Sequence, residues 1–161
     1  WGDQIFTSRM GMGLSGLTML RDVSLNFDTS ALRAMFPLYL GGTLSGSFER
    51  IEIEQAGLRQ AQGTVYLRNA IWTAKSGNRP LGDYRIDVAG DAGSTDGIVG
   101  EVITENGALV LAGDLSLAMD SYAVKLSATG PVARDDGFRR AVSMLATPTA
   151  EGFDVVFQGQ L

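Results

Sequence analysis

The sequence predicts an all-β fold: an antiparallel meander sheet, curved or partly closed like a barrel, with one C-terminal amphipathic helix and one short helical turn. Residues 109–119 alternate, with every odd position apolar or glycine. After Asp120-Ser121 the even positions of 122–128 become apolar, which predicts a hairpin with one buried face. The composition agrees, because the 21 glycines are spread among the apolar runs and only 4 prolines interrupt them, as is typical of turns, bulges and bends between strands.

The N-terminal quarter of the chain predicts two strands and the helical turn. Alternation is weak over residues 4–12 and clearer over 17–27, where the odd positions Leu17, Met19, Val23, Leu25 and Phe27 are apolar and Arg21 is the exception. The segment Asp-Thr-Ser at 28–30 supplies N-cap residues, so residues 31–36 are predicted as a turn or two of helix.

Two strands follow, and their apolar residues do not keep to one face. Over residues 43–54 the apolar parity changes near Glu49-Arg50, which predicts a β-bulge. The next strand, 63–72, is predicted to be covered on both sides, because Val65, Leu67 and Ile71 share one face while Tyr66, Ala70 and Trp72 share the other.

The middle of the chain predicts two further strands between polar turns. Residues 75–80 are predicted as a polar loop, and 84–89 as a strand with Tyr84, Ile86 and Val88 directed inward. Another turn is predicted over 90–97 and a strand over 98–104. Asn106-Gly107 is then expected to form a hairpin turn, since both residues tolerate positive φ.

The C-terminal segment predicts the helix and the last strand. Apolar residues with helical spacing follow the acidic pair Asp135-Asp136, which suits a helix N-terminus. Thr147-Pro148 is expected to end the helix. We expect Phe138, Val142 and Leu145 to pack on the sheet with Ala141 beside them, and Arg134, Asp135, Arg139 and Arg140 to face water. The final strand, 153–161, is predicted to direct Phe153, Val155 and Phe157 inward.

The composition also limits the function classes. A chain of 161 residues predicts one domain, 1–161, and 45% hydrophobic residues suffice for a core. There is no histidine and no cysteine, which removes Ser-His and Cys-His nucleophiles and thiolate metal sites and disfavours an enzyme. A net charge of −5 with 13 scattered Lys and Arg residues argues against a nucleic-acid partner. No apolar run is long enough to span a bilayer. Because Trp1 is not a natural start, we expect a fragment of a longer protein.

Four groups of residues were weighed as sites, and each is explained more simply by structure. The acidic loop 90–97 offers calcium ligands, but its spacing does not match an EF-hand and favours a solvated turn. Asp135 and Asp136 with Arg134, Arg139 and Arg140 could form a docking face, although helix capping explains them. Glu49, Glu52 and Glu54 could be catalytic, but Glu52 and Glu54 are predicted to face solvent. Tyr66 and Trp72 could line a ligand groove or pack in the core. No catalytic, cofactor-binding or metal-binding residue is therefore assigned, and no cofactor is expected.

Residues 63–72 (GTVYLRNAIW) and Leu81-Gly82-Asp83 place glycines and apolar residues at fixed strand spacing. They resemble the G-x-V-x-L-x-x-A-x-W strand and the L-G-[DE] strand opening of the type II secretion system protein N (general secretion pathway protein N) family. Residues 107–117 (GALVLAGDLSL) with Tyr122 are similar to its G-x-L-x-L-x-G-x-L-x-L…Y hairpin. The resemblance extends over most of 37–161. It includes a P-L…L-x-G entry strand at 37–46, a helix at 138–145 and a C-terminal Gly152…Gly159-x-Leu161 pattern.

The resemblance implies a component of the machinery that exports folded proteins across the bacterial outer membrane. Family members have one N-terminal transmembrane helix in the inner membrane of Gram-negative bacteria and a β-rich periplasmic domain, and no enzymatic activity is attached to them. The chain would be the C-terminal part of that domain, on the periplasmic side of the inner membrane, with an anchor expected upstream. The implied partners are inner-membrane platform proteins or the periplasmic domains of the secretin.

Two modes of action remain open at the level of the sequence. The first is an interaction module that presents sheet edges to other secretion components, with the C-terminal strand 153–161 and the strand at the opposite edge as candidates. The alternative is a domain that binds or transfers envelope lipid or another hydrophobic ligand. It is suggested by the leucine-rich face of 109–119 and by the apolar strand 63–72.

Overall fold

The computed structural model describes residues 5–12, 17–28, 40–54, 57–74 and 77–160. Strands dominate these residues, with one 3₁₀ turn at Val132–Arg134 and one α-helix near the C-terminus. The elements are β1 (Ile5–Met12), β2 (Thr18–Asp28), β3 (Leu40–Glu54), β4 (Gly57–Ala74), β5 (Gly77–Asp91), β6 (Ile98–Gly107), β7 (Val110–Leu117), β8 (Ser121–Thr129), α1 (Asp136–Val142), β9 (Thr147–Pro148) and β10 (Phe153–Gln160).

The strands form a single antiparallel sheet in the order β1-β2-β3-β4-β5-β6-β7-β8-β10-β9. Each strand as far as β8 pairs with its neighbours in sequence, so the predicted meander is confirmed. The chain then passes through α1 and β9 before β10 returns to pair with β8. Among the described residues β1 and β9 stand at opposite edges and do not pair, so the sheet is open. The predicted helical turn over 31–36 lies outside the described residues.

One face of the sheet, here called the apolar face, is built by the register of all the long strands. Val65, Ile86 and Val102 lie side by side on β4, β5 and β6. On β7, β8 and β10 the neighbouring row Leu115, Val124 and Phe157 lies on the same face. The opposite face carries mainly polar residues, such as the row Thr64, Asp87, Glu101 and Asp114.

The predicted β7–β8 hairpin forms, with its turn one residue earlier than expected. Leu117 pairs with Tyr122, and the amide of Ala118 donates to the carbonyl of Ser121 at 2.8 Å. Met119 and Asp120 therefore occupy the tip, and Met119 is 57% exposed. The alternating residues of both strands share the apolar face, as predicted.

Several register irregularities adjust the described strands to that face. Three changes of side-chain parity bear on the sequence predictions, and one of these three was predicted. The bulge expected near Glu49 is confirmed by a register shift between Phe48 and Arg50 against β4. In β2, Asp22 has φ +50°, so Leu20 replaces Met19 beside Val23 in the core. The strict odd-position prediction for 17–27 was wrong because a left-handed residue shifts the alternation by one.

The third change occurs in β4, where the prediction of two covered faces was wrong. Asn69 has φ +51° and the register against β5 shifts between Leu67 and Ala70. Ala70 and Trp72 consequently join Leu67 in one core cluster, while Tyr66 stays on the polar face beside Arg85. The strand is therefore buried on one side only.

Two connections also differ from the expected turns. Residues 77–80, predicted within a polar loop, begin β5 and pair with the end of β4. Asn106 and Gly107 pair with Asp83 and Gly82 of β5, so they extend β6, and Ala108-Leu109 makes the connection to β7. Backbone pairing with the neighbouring strand thus overrides the local turn preference of Asn-Gly. The strand predicted over 84–89 keeps its inward and outward residues.

Helix α1 covers one end of the apolar face. Phe138 and Val142 are buried, as predicted, but Leu145 is 38% exposed and Ala141 is exposed. The helix ends at Val142 with Ser143 as its C-cap, so Leu145 leaves the helical stripe. Thr147 and Pro148, expected to close the helix, instead form β9 beside β10.

The contacts of Phe138 show that the sheet is strongly curled. Its ring lies 5.1 Å from that of Trp72 on β4 and 5.9 Å from that of Phe153 on β10, centroid to centroid. In a flat sheet these strands would be about 24 Å apart, at ~4.8 Å per strand step. The curvature and the helix together close this end of the sheet into the largest core cluster.

Candidate functional site

The three candidate carboxylates of β3 lie in different surroundings. Glu49 is exposed at the bulge. Glu52, predicted to face solvent, is only 6% exposed, which corrects that prediction. Arg50 lies on the same face two residues earlier and donates from Nε to Glu52 Oε1 at 2.8 Å, covering the carboxylate. Glu54 pairs with Arg59 at 2.6 Å. Glu52 and Glu54 are therefore engaged by arginines.

Arg59 joins the β3–β4 turn to the end of β5. Its guanidinium, which pairs with Glu54, also lies 3.9 Å from Asp91 Oδ2. Its backbone carbonyl accepts a hydrogen bond from the amide of Ala92 at 2.7 Å. The hydrogen bond and charge of Glu54, with the charge of Asp91, raise the pKa of Arg59. Exposed ion pairs of this kind contribute little to stability, so this cluster is a structural link between turns.

The acidic loop 90–97 is folded by its own hydrogen bonds. Asp91 Oδ1 accepts from the amide of Gly93 at 2.8 Å, and Ser94 Oγ donates to the carbonyl of Asp91 at 2.7 Å. These bonds form the turn favoured at the level of the sequence. Within the described residues no group of three or more Asp and Glu side chains is placed to hold a metal ion.

The charged residues at the start of α1 serve the helix. Asp135 is the N-cap, and its Oδ1 accepts from the amide of Phe138 at 3.0 Å, as in a standard N-cap. Its other oxygen lies 3.3 Å from Arg79 on β5, which ties the helix to the sheet. Arg134 and Arg140 are exposed, whereas Arg139 is partly buried. The capping interpretation therefore accounts for Asp135.

Trp72 and Tyr66 do not form one groove, because they lie on opposite faces of β4. Trp72 is 7% exposed and makes an edge-to-face contact with Phe138, so it belongs to the core. Tyr66 lies on the polar face with the Arg68 guanidinium 4.7 Å from its ring centroid.

Two polar residues that the sequence analysis did not consider as site residues stabilise the curled end. The Asp83 carboxylate accepts from the amide of Asn69 at 2.6 Å and from the side chain of Asn106 at 2.8 Å, and these bonds lower the pKa of Asp83. The buried Tyr84 hydroxyl donates to the carbonyl of Leu109 at 2.8 Å. Burial, with the charge of Asp83, raises the pKa of Tyr84 well above its ordinary value.

The remaining candidate surface is the edge of the sheet formed by β10. Strand β9 covers only the first two residues of β10, through pairs of Phe153 with Pro148 and Asp154 with Thr147. From Val155 to Gln160 the described part of the chain places no strand on the outer side of β10. Backbone donors and acceptors on such an edge can pair with another extended chain.

Comparison with known families decides the identity of the chain. The model of the family described as type II secretion system (T2SS), protein N matches residues 5–156. The chain belongs to that family. The match covers β1 to β9 completely and β10 as far as Val156. For this protein N family member, neither a curated protein nor a solved structure gave a match.

Membership confirms the resemblance stated above and makes the chain a component of type II secretion. The described residues of this family member contain no helix that is both long and apolar enough to cross a membrane. The candidate site that remains in the described residues is the outer side of β10 from Val155 to Gln160.

Proposed function

We propose that this protein N domain is a non-enzymatic interaction module of the type II secretion machinery, which exports folded proteins across the outer membrane. We place residues 1–161 in one β-rich domain on the periplasmic side of the inner membrane, with a membrane anchor upstream in the full-length protein. Family membership supports the role in secretion. The mode of action rests on the β10 edge.

The observation that carries the proposal is that the sheet is open and that, among the described residues, no strand pairs with the outer side of β10 from Val155 to Gln160. The carboxylates that could have performed acid–base chemistry are held by arginines or face water separately, and the other candidate groups fold the chain. An edge strand supplies an ordered row of backbone hydrogen-bonding groups, so an extended segment can bind with little rearrangement of the domain. The partners that fit are other type II secretion components: inner-membrane platform proteins or the periplasmic domains of the secretin.

The test is affinity purification of the full-length protein from envelopes of secreting cells, with bound proteins identified by mass spectrometry. We expect a platform protein or the secretin to be recovered. Recovery of no secretion component, under conditions in which the same tagged protein supports secretion, would contradict the proposal.

A hydrophobic ligand remains the alternative function, and one observation bears on it. Residues in the middle of the apolar face, among them Val65, Ile86 and Leu115, are only partly buried. An acyl chain could cover them, although the same side chains also make up the core. Native mass spectrometry of the domain distinguishes the two functions, because a carrier would retain co-purified lipid and an interaction module would give the mass of the protein alone.

A further inference from the structure

The two edges of the sheet differ in how they are protected against pairing with another chain. On β1, Arg9 is exposed and lies 3.5 Å from Asp22. The register of β1 against β2 shifts between Thr7 and Arg9. A charged residue and an irregularity are the devices by which natural proteins prevent edge-to-edge pairing.

The open half of β10, defined here as residues 155–160, has neither device. Its sequence, Val-Val-Phe-Gln-Gly-Gln, contains no charge and no proline. Its register with β8 is regular over the whole strand. Val156 is 68% exposed, although it is a β-branched apolar residue suited to a covered strand. The cover that β9 gives to β10 stops at Thr147, opposite Asp154.

We infer that the open half of β10 is the docking edge of the domain, and that its partner is an uncharged extended segment of another secretion component with apolar residues at every second position. This inference rests on the proposed function and specifies the edge and the chemistry of the partner. The edge already accepts a short strand in β9, and the partner strand continues that addition along β10.

The side chains beside the edge define the partner's pattern. Residues of an added strand alternate between the two faces. Those on one face lie beside Val155 and Phe157 on the apolar face, which favours apolar side chains. Those on the other face lie beside Val156 and Gln158, which carry no charge. The nearby charges on that face are Asp154, in the part of β10 that β9 already covers, and Lys125, one strand further in and opposite Val156.

A second copy of the domain fits this edge less well. An antiparallel pair of two β10 strands that used the whole open half would place Gln160 of one copy opposite Val155 of the other. Each copy would then bring its own β9, which covers β10 as far as Asp154, so the pairing would be bounded at both ends. A separate partner strand carries no β9 and is bounded at one end only.

Photo-crosslinking in cells that carry the full-length protein tests the inference. A photo-crosslinking amino acid is placed at Gln158 on the docking edge and, as the control, at Arg9 on the opposite edge. Val156→Lys is the interfering variant, and Met144→Lys is the matched control at a site that is 94% exposed and belongs to neither β1 nor β10. Urea denaturation checks that both variants stay folded.

We expect Gln158 to crosslink to a secretion component within a segment of alternating apolar residues. Val156→Lys should reduce the recovery of that component about tenfold or more, since a lysine is a standard block to edge pairing. Met144→Lys should leave recovery unchanged.

Three results would overturn the inference in distinguishable ways. Crosslinking of a secretion component at Arg9 but not at Gln158, with recovery unaffected by Val156→Lys, would reject this edge and keep the proposed function. Crosslinking of Gln158 to a second copy would make the edge a dimer interface. If no secretion component is crosslinked or recovered with the unmodified protein, both the inference and the proposed function fail.

Discussion

Phe138 is the residue on which the covered end of the sheet depends. It is 3% exposed and lies between the rings of Trp72 and Phe153, which come from strands far apart in the sheet order. We expect Phe138→Ala to lower the free energy of unfolding by about 3–5 kcal/mol, as for other buried aromatic residues. Chemical denaturation measures this.

The control for Phe138 is Met144→Ala, because Met144 is 94% exposed. This substitution should change the free energy of unfolding by no more than about 0.5 kcal/mol, and Arg139→Ala should likewise be mild. Equal effects of Phe138→Ala and Met144→Ala would mean that α1 is not part of the core.

Asp83 makes stability depend on pH. Its hydrogen bonds to Asn69 and Asn106 favour the ionised form and lower its pKa in the folded protein, so the unfolded chain takes up a proton at a higher pH. The stabilisation is therefore present above the ordinary carboxyl pKa, about 4, and is lost as the pH falls through the folded value. Asp83→Asn should lower the free energy of unfolding at pH 7. The difference between the variant and the wild type should be much smaller at acid pH.

Urea denaturation of the Asp83→Asn variant and the wild type at pH 7 and about pH 3 checks this prediction, with Asp96→Asn at an exposed loop position as the control. A destabilisation by Asp83→Asn of the same size at both pH values would show that the ionised form of Asp83 is not what stabilises the fold.

At the scale of single elements, the bulge in β4 decides where Trp72 points. Asn69 is exposed and holds the left-handed backbone that shifts the alternation, and asparagine tolerates this conformation better than most residues. Asn69→Val should cost about 1–2 kcal/mol, since a β-branched residue is strained there, whereas Asn69→Gly should be nearly neutral. Thermal or urea unfolding compares the two, and equal costs would show that the backbone conformation is not the cause.

The elements also show which features of the fold could be predicted from the sequence. The bulge at Glu49 was predictable because isoleucines follow it in the opposite parity. The bulge at Asn69 was not, because Tyr66, Ala70 and Trp72 form an equally regular alternation without one. A single residue with positive φ leaves little sequence signal when apolar residues stand on both sides of it.

The same limit applies to the end of α1 and to the candidate site. Leu145 has the correct helical spacing, but the helix ends at Val142, and no proline or glycine marks that position. The C-terminal strand was predicted as one candidate edge. The position of this strand at the open edge follows from the pairing of β10 with β8, which are separated in sequence by α1 and β9. Local patterns of residues do not predict a pairing between segments so far apart.

At the scale of the whole molecule, the curled sheet depends on close approach of its strands. An added Cβ at Gly63 on β4 would clash with the carbonyl oxygen of Ser47 and lie 2.6 Å from Phe48 Cα on β3, and backbone atoms cannot yield as a flexible side chain would. Gly63→Ala should therefore destabilise the domain by about 1–3 kcal/mol, within the range for overpacked cores.

Gly11→Ala is the matched control for Gly63→Ala, because the nearest atom to its added Cβ is the Met19 carbonyl oxygen at 3.9 Å. Its unfolding midpoint in urea should equal or exceed that of the wild type, since glycine in a strand interior weakens the strand. If Gly63→Ala destabilised the domain no more than Gly11→Ala does, the close approach of β3 and β4 at Gly63 would not be required for the stability of the sheet.

The strand order has a consequence for the folding kinetics of the domain. Strands up to β8 pair only with their sequence neighbours, so each hairpin closes a short loop at low entropic cost. The pairing of β10 with β8 closes a longer loop, since α1 and β9 intervene, and β10 is the last of the described strands to leave the ribosome. We expect β10 to join the sheet last, so that the docking edge becomes available to a partner only once the rest of the domain has folded.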